Sequence, residues 1–143
     1  MNEHPYELMV IEDNPGDVAL LKEVFAEADL VCNFRPYGYG ELALEALNAD
    51  LAAHTLPDII FLDLNLRGDD GFTMLRKLKS NPQTCAIPVI VMSSSSAPED
   101  IQRAYKEHAN AYISKPLNFE EFIQKIRTIK EFWFNTAKLP SGK

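Results

Sequence analysis

Apolar positions along this chain follow two rhythms that alternate. Leu8–Ile11, Ile59–Leu62 and Ile87–Met92 are short, nearly continuous apolar runs that end at polar residues. Each is too short for a typical helix and predicts a strand buried on both faces. Val31–Tyr37 alternates loosely and predicts a more exposed strand, and Ala111–Ser114 predicts a short one. Between these runs, apolar side chains recur at helical spacing. Val18, Leu21, Val24, Phe25 and Ala28 mark the first helix; Leu44, Leu47 and Leu51 mark a second, over Glu41–Ala53. Phe72, Leu75 and Leu78 mark a third, and Phe119, Phe122, Ile123, Ile126, Ile129 and Trp133 mark the last.

Local signals sharpen the boundaries. Asn14 is placed to cap the first helix with Pro15 at its first position, and Asn81-Pro82 stops the third. Ser96-Ala97-Pro98-Glu99 has capping-box spacing and predicts a further helix running to about His108. Strand and helix thus alternate five times with short connections. That predicts an α/β domain with a doubly wound parallel sheet and helices on both faces. No internal repeat or linker interrupts it. The expected domain spans residues 6–135, with a short tail at 136–143 and no output domain.

Composition removes several alternatives. A formal net charge of −7 argues against a nucleic-acid footprint and against adsorption to anionic lipid. Cys32 and Cys85 form no metal-binding pattern and are expected to be buried free thiols. The opening residues are polar and no apolar run spans a bilayer, so the expected location is the cytoplasm and no membrane partner is expected.

The candidate chemistry sits where the strands end. Glu12-Asp13, Asp63, Ser93 and Lys115 each follow the apolar part of a predicted strand. In an open parallel sheet, ligands bind at the carboxyl ends of the strands, and a strand order of 2-1-3-4-5 gathers these four ends at one edge. Clustered carboxylates repel and require a cation, and hard oxygen ligands suit Mg²⁺. The natural set is Asp13, Asp63 and the backbone carbonyl of Asn65, with Glu12 contributing directly or through water. Lys115 adds a fixed positive charge beside Asp63, as phosphoryl transfer requires. Asp63 can take the phosphoryl group as an aspartyl phosphate, and Ser93 can donate to its oxygens.

On Glu12-Asp13, Asp63-Leu64-Asn65, Asp70-Gly71, Ser93 and Tyr112-Ile113-Ser114-Lys115-Pro116, the chain resembles the receiver domain of a two-component response regulator. The resemblance covers about residues 6–130 and implies a five-stranded, flavodoxin-like sheet. It implies that a sensor histidine kinase phosphorylates Asp63 with Mg²⁺ bound. Ser93 and Tyr112 would form the switch pair, the output being protein contact rather than enzymatic turnover. Two features depart from the commonest pattern: Arg67 replaces a usual proline, and the small Ser94 and Ser95 leave room for a hydrolytic water.

The end of the chain is unusually apolar. Phe132-Trp133 and Lys138-Leu139-Pro140, with Asn65, resemble small receivers paired with bacterial phytochrome kinases, which makes a bacteriophytochrome the expected kinase. One helix face cannot bury three consecutive aromatics. Phe132, Trp133 and Phe134 are therefore expected at a homodimer contact, the alternative being a tail folded back on its own domain. Other classes fit less well. A dehalogenase-type phosphatase needs an aspartate where Asn65 stands, and a flavin module would not place Glu12-Asp13 against phosphate. A phosphorylation-independent pseudo-receiver stays as the alternative.

Overall fold

The computed structural model describes residues 5–66 and 70–143. Five strands alternate with five helices: β1 Tyr6–Ile11, α1 Pro15–Glu27, β2 Cys32–Tyr37, α2 Gly40–Ala53 and β3 Ile59–Asp63. Then come α3 Gly71–Ser80, β4 Val89–Ser93, α4 Pro98–Lys106, β5 Ala111–Ser114 and α5 Phe119–Lys130. All pairings are parallel, in the order β2-β1-β3-β4-β5. This is the expected flavodoxin-like topology. Among the described residues, no helix is long and apolar enough to cross a membrane.

The near-continuous apolar runs reflect a sheet covered on both faces, because alternate strand residues point to opposite sides. Leu8, Val10, Phe61 and Ile90 pack with Leu21 and Val24 of α1 and Phe122 and Ile126 of α5. Met9, Ile11, Ile60, Leu62 and Val91 pack with Leu47 of α2, Leu75 and Leu78 of α3 and Ala104 of α4. Ile87 and Pro88 are buried but precede β4, which starts at Val89; Pro88 has no N–H, yet its carbonyl accepts from Ile60 N–H at 3.0 Å.

Several expectations are corrected. α4 ends at Lys106, and its N-cap is Ala97, which caps with no side chain. The capping box from Ser96 does not form: Ser96 Oγ lies 3.4 Å from Ser114 Oγ, and Ser95 Oγ accepts from Ala97 N–H at 3.2 Å. Cys85 is exposed and Cys32 only half-buried, so neither is a buried thiol.

The largest correction concerns the final aromatics. α5 continues into a π-helical extension, Glu131–Thr136, closed by Ala137 N–H donating to the Phe132 carbonyl. A wider turn delays the inward-facing position by one residue. Phe134, five residues after Ile129, is therefore buried, whereas Trp133 is half-buried and Phe132 is 52% exposed. Phe134 packs on Tyr6 with ring centroids 4.1 Å apart, and its carbonyl accepts from the Tyr6 hydroxyl at 2.8 Å. It cannot serve as a dimer contact. The tail does fold back: Leu139 is buried, and Lys143 Nζ pairs with Asp58 at 3.0 Å.

Candidate functional site

The carboxyl ends of β1, β3, β4 and β5 bring the predicted residues together. Glu12 and Asp13 follow β1, Asp63 closes β3, Ser93 closes β4, and Lys115 follows β5. Asp63 pairs in register with Met92, so Ser93 lies one residue farther along the neighbouring strand. Lys115 N–H donates to the Ser93 carbonyl at 2.8 Å, extending the ladder and aligning the lysine with the site. Asn14 caps α1 by accepting from Gly16 and Asp17 N–H, which turns the chain sharply after the acidic pair.

Carboxylate oxygens of Glu12, Asp13 and Asp63 lie within 4.8 Å of one another, with Glu12 and Asp63 buried. Lys115 Nζ donates to Glu12 Oε1 at 2.8 Å and stands 3.5 Å from both Asp63 Oδ2 and Asp17 Oδ2. Asp17, on the first turn of α1, is a member that the sequence reading missed; an acid one helical turn after Asp13 is its only signal. Burial pushes the Glu12 carboxyl up to about 8, with neighbouring Asp63 adding to it and Lys115 opposing it. Burial opposes charge on Lys115 as well. The bond to Glu12 and the charges of Asp63, Glu12 and Asp17 outweigh that effect and hold the ammonium above its ordinary range.

These residues fit a divalent cation. Glu12 Oε2 is buried and has no hydrogen-bond partner among the described residues, a costly arrangement that a cation would relieve. Hard carboxylate oxygens suit Mg²⁺ or Mn²⁺.

The turn after β3 is shaped by Asp63 itself, whose Oδ1 accepts from Asn65 N–H at 3.1 Å. Gly71 closes the turn by donating its N–H to the Leu64 carbonyl at 2.9 Å. A Cβ at Gly71 would stand 2.3 Å from Leu64 Cα and 2.7 Å from the Asp63 carbonyl, so only glycine permits this approach. Gly71 thus positions the backbone of Asp63 and Leu64 as well as opening a helix. Arg67, the expected departure in this loop, lies outside the described residues.

Ser93 is buried, and its Oγ accepts from Ser95 N–H at 3.1 Å. The half-buried Tyr112 donates its hydroxyl to the Ser95 carbonyl at 2.9 Å. Ser95 is therefore engaged rather than a gap for water, while Ser94 is exposed.

Comparison with known proteins agrees with this geometry. The family model described as the response regulator receiver domain matches residues 8–127. The probable methanogenesis regulatory protein FilR2 of Methanothrix harundinacea is 32% identical over 139 residues, covering 96% of this chain and 90% of that protein. Response regulator Rcp1 of Synechocystis sp. is 30% identical over 140 residues, covering 96% and 95%. The solved Mn²⁺-bound form of Rcp1 aligns with a TM-score of 0.81 at 30% identity over 95% of this chain and 99% of that one. The phosphorylated cyanobacterial phytochrome response regulator RcpA aligns with a TM-score of 0.86 at 36% identity over 95% and 99%. With this acidic cluster, lysine and topology, the chain belongs to the response regulator receiver domain family.

Proposed function

We propose that Asp63 accepts a phosphoryl group from the phosphohistidine of a sensor histidine kinase. The observation that carries this reading is the pairing of a buried aspartate with an aligned lysine beside an orphaned carboxylate oxygen, Glu12 Oε2. A carboxylate oxygen of Asp63 attacks phosphorus, the phosphorus–nitrogen bond to the imidazole breaks, and the imidazole nitrogen leaves with its electron pair. Lys115 holds positive charge beside the Asp63 oxygen throughout, and Ser93 donates to a phosphoryl oxygen once the group has arrived. Glu12, Asp13, Asp63 and the Asn65 carbonyl would hold Mg²⁺. When bound, the ion neutralises charge on the phosphoryl oxygens.

The new group adds roughly −1.5 to −2 charges at neutral pH, enough to bias a two-state loop. Ser93 and Tyr112 are the residues placed to respond, since both bond to Ser95. We further propose that this phosphoacceptor signals by protein contact through its receiver unit, 6–135, in the cytoplasm. The likeness to a phytochrome response regulator at 36% identity supports a bacteriophytochrome as the kinase. Phe132, with Trp133 stacked edge-on at 5.2 Å, offers a surface for a homodimer.

A radiolabelled, autophosphorylated bacteriophytochrome kinase mixed with this protein tests the reading. Label should pass to wild type and not to Asp63→Asn. Retention of all label on the kinase would contradict the phytochrome pairing. Sedimentation of a monomer at high concentration, phosphorylated or not, would sink the dimer.

A further inference from the structure

Three of the helices are capped by their own residues: Asn14 for α1, Asp70 for α3 and Asn118 for α5. α4 has no such cap. Its N-cap is Ala97, and Ala104 is its one fully buried residue. Its later turns are held by Arg103 over the Phe72 ring at 4.1 Å and by Tyr105, whose hydroxyl accepts from Tyr112 N–H at 3.1 Å.

What fastens its first turn is Ser95. The Ser95 hydroxyl donates to Asp100 Oδ2 at 2.6 Å and accepts from Ala97 N–H at 3.2 Å. The same residue's N–H is bound by Ser93 Oγ, and its carbonyl is bound by the Tyr112 hydroxyl. One short residue therefore touches the hydroxyl beside Asp63, the aromatic of β5 and the start of α4.

Resting on the reading of Asp63 as phosphoacceptor, we propose that Ser95 is a positioning residue whose hydroxyl passes occupancy of the Asp63 site to α4. Drawing the Ser93 hydroxyl toward a group on Asp63 pulls on the Ser95 N–H that it accepts. The backbone of residues 94–97 follows, and the Ser95–Asp100 bond carries the shift into the first turn of α4. Tyr112 follows by a separate leg, the Ser95 carbonyl, which belongs to the backbone and survives loss of the side chain. The first turn of α4 and the Tyr112 ring thus receive the shift through different atoms of Ser95, while Tyr105 near the end of α4 accepts from Tyr112 N–H at 3.1 Å.

The test is amide NMR of the full chain with Mg²⁺, before and after adding beryllofluoride as a phosphoryl mimic. In wild type, resonances of residues 63–65, 98–104 and Tyr112 are all displaced at saturation. In Ser95→Ala, and equally in Asp100→Ala, displacement at 98–104 falls by roughly fivefold or more, the low end of a typical coupling between sites. Displacement at 63–65 and at Tyr112 persists, which a general loss of structure would not allow. The double variant adds nothing beyond either single one. Ser95→Thr, which keeps the hydroxyl, restores the wild-type response. Full displacement of 98–104 in both single variants overturns the proposal. If Ser95→Ala does not fold, Asp100→Ala decides alone, because it leaves the Ser95 backbone bonds to Ser93 and Tyr112 untouched. No displacement at 63–65 in wild type would instead overturn the receiver reading, and the relay with it.

Discussion

Two aspartates lie at opposite ends of the same strand, and both are buried. Asp58, just before β3, accepts from Glu7 N–H at 2.8 Å and from Lys143 Nζ at 3.0 Å. Its charge is balanced, and its role is to tie the tail to the lower edge of the sheet. Asp63, at the upper end, lies in one carboxylate cluster with Glu12 and Asp13, and Lys115 Nζ stands 2.8 Å from Glu12 and 3.5 Å from both Asp63 and Asp17. Glu12 keeps an oxygen with no hydrogen-bond partner among the described residues. A buried carboxylate is therefore informative through the charge balance around it rather than through its burial. Balanced, it holds structure; unbalanced, it awaits a ligand.

If that contrast holds, removing charge at the two ends has opposite consequences. The largest effect falls on chemistry. Lys115→Ala should lower the rate of Asp63 phosphorylation by about a hundredfold, the scale for losing one fixed electrostatic contact to a transferring group. It should also abolish signalling output. Stopped-flow phosphorylation and a pathway reporter measure the two, and unchanged output would refute the role given to Lys115.

Stability gives the next effect. Asp58→Ala strands the Glu7 N–H and the partly exposed Lys143, at a cost of about 2 kcal/mol in urea unfolding. Asp63→Asn, measured without Mg²⁺, should leave stability unchanged or slightly raised, because it removes one carboxylate from the crowded cluster with Glu12 and Asp13. Equal losses from the two variants would break the comparison.

Gly71→Ala sharpens it from the backbone side. The added methyl drives into Leu64, costing about 1–3 kcal/mol and weakening Mg²⁺ binding through the displaced Asp63 turn. Titration calorimetry with Mg²⁺ measures the second part, and wild-type affinity would show that the turn is not positioned by this contact.

The smallest effect is at Asp70. Its carboxylate caps α3 by accepting from Thr73 N–H at 2.7 Å, and that bond holds its carboxyl below the ordinary range. A depressed folded-state value contributes stability above the ordinary carboxylate range and loses it as pH falls through the folded value. Asp70→Ala should cost about 1 kcal/mol at pH 7, and the difference from wild type should vanish in acid. A difference that persists at low pH would assign the loss to packing instead.

Much of this was legible in the sequence because the relevant signals are local. Leu8–Ile11 and Ile59–Leu62 read as buried strands since both sheet faces are covered, and Asn14-Pro15 marks a helix start wherever it occurs. The strand-end residues Glu12, Asp63, Ser93 and Lys115 followed once the strand order was assumed. The failures are tertiary. Nothing local distinguishes Ser95 from Ser96 as the residue holding α4, because Asp100 decides it across a turn. The π-helical extension that buries Phe134 breaks the helical period of α5. Cys85 is exposed because Thr84 and Ile87 take the buried positions of the loop after α3, and Asp17 belongs to the site only through Lys115 at the end of β5.

The central claim is that Asp63 is a cation-dependent phosphoacceptor. Intact mass after incubation with acetyl phosphate, with and without Mg²⁺, tests it most directly on wild type and Asp63→Asn. One phosphoryl group should be gained by wild type alone and only with Mg²⁺. Equal gain by Asp63→Asn, or none in wild type under either condition, would contradict it.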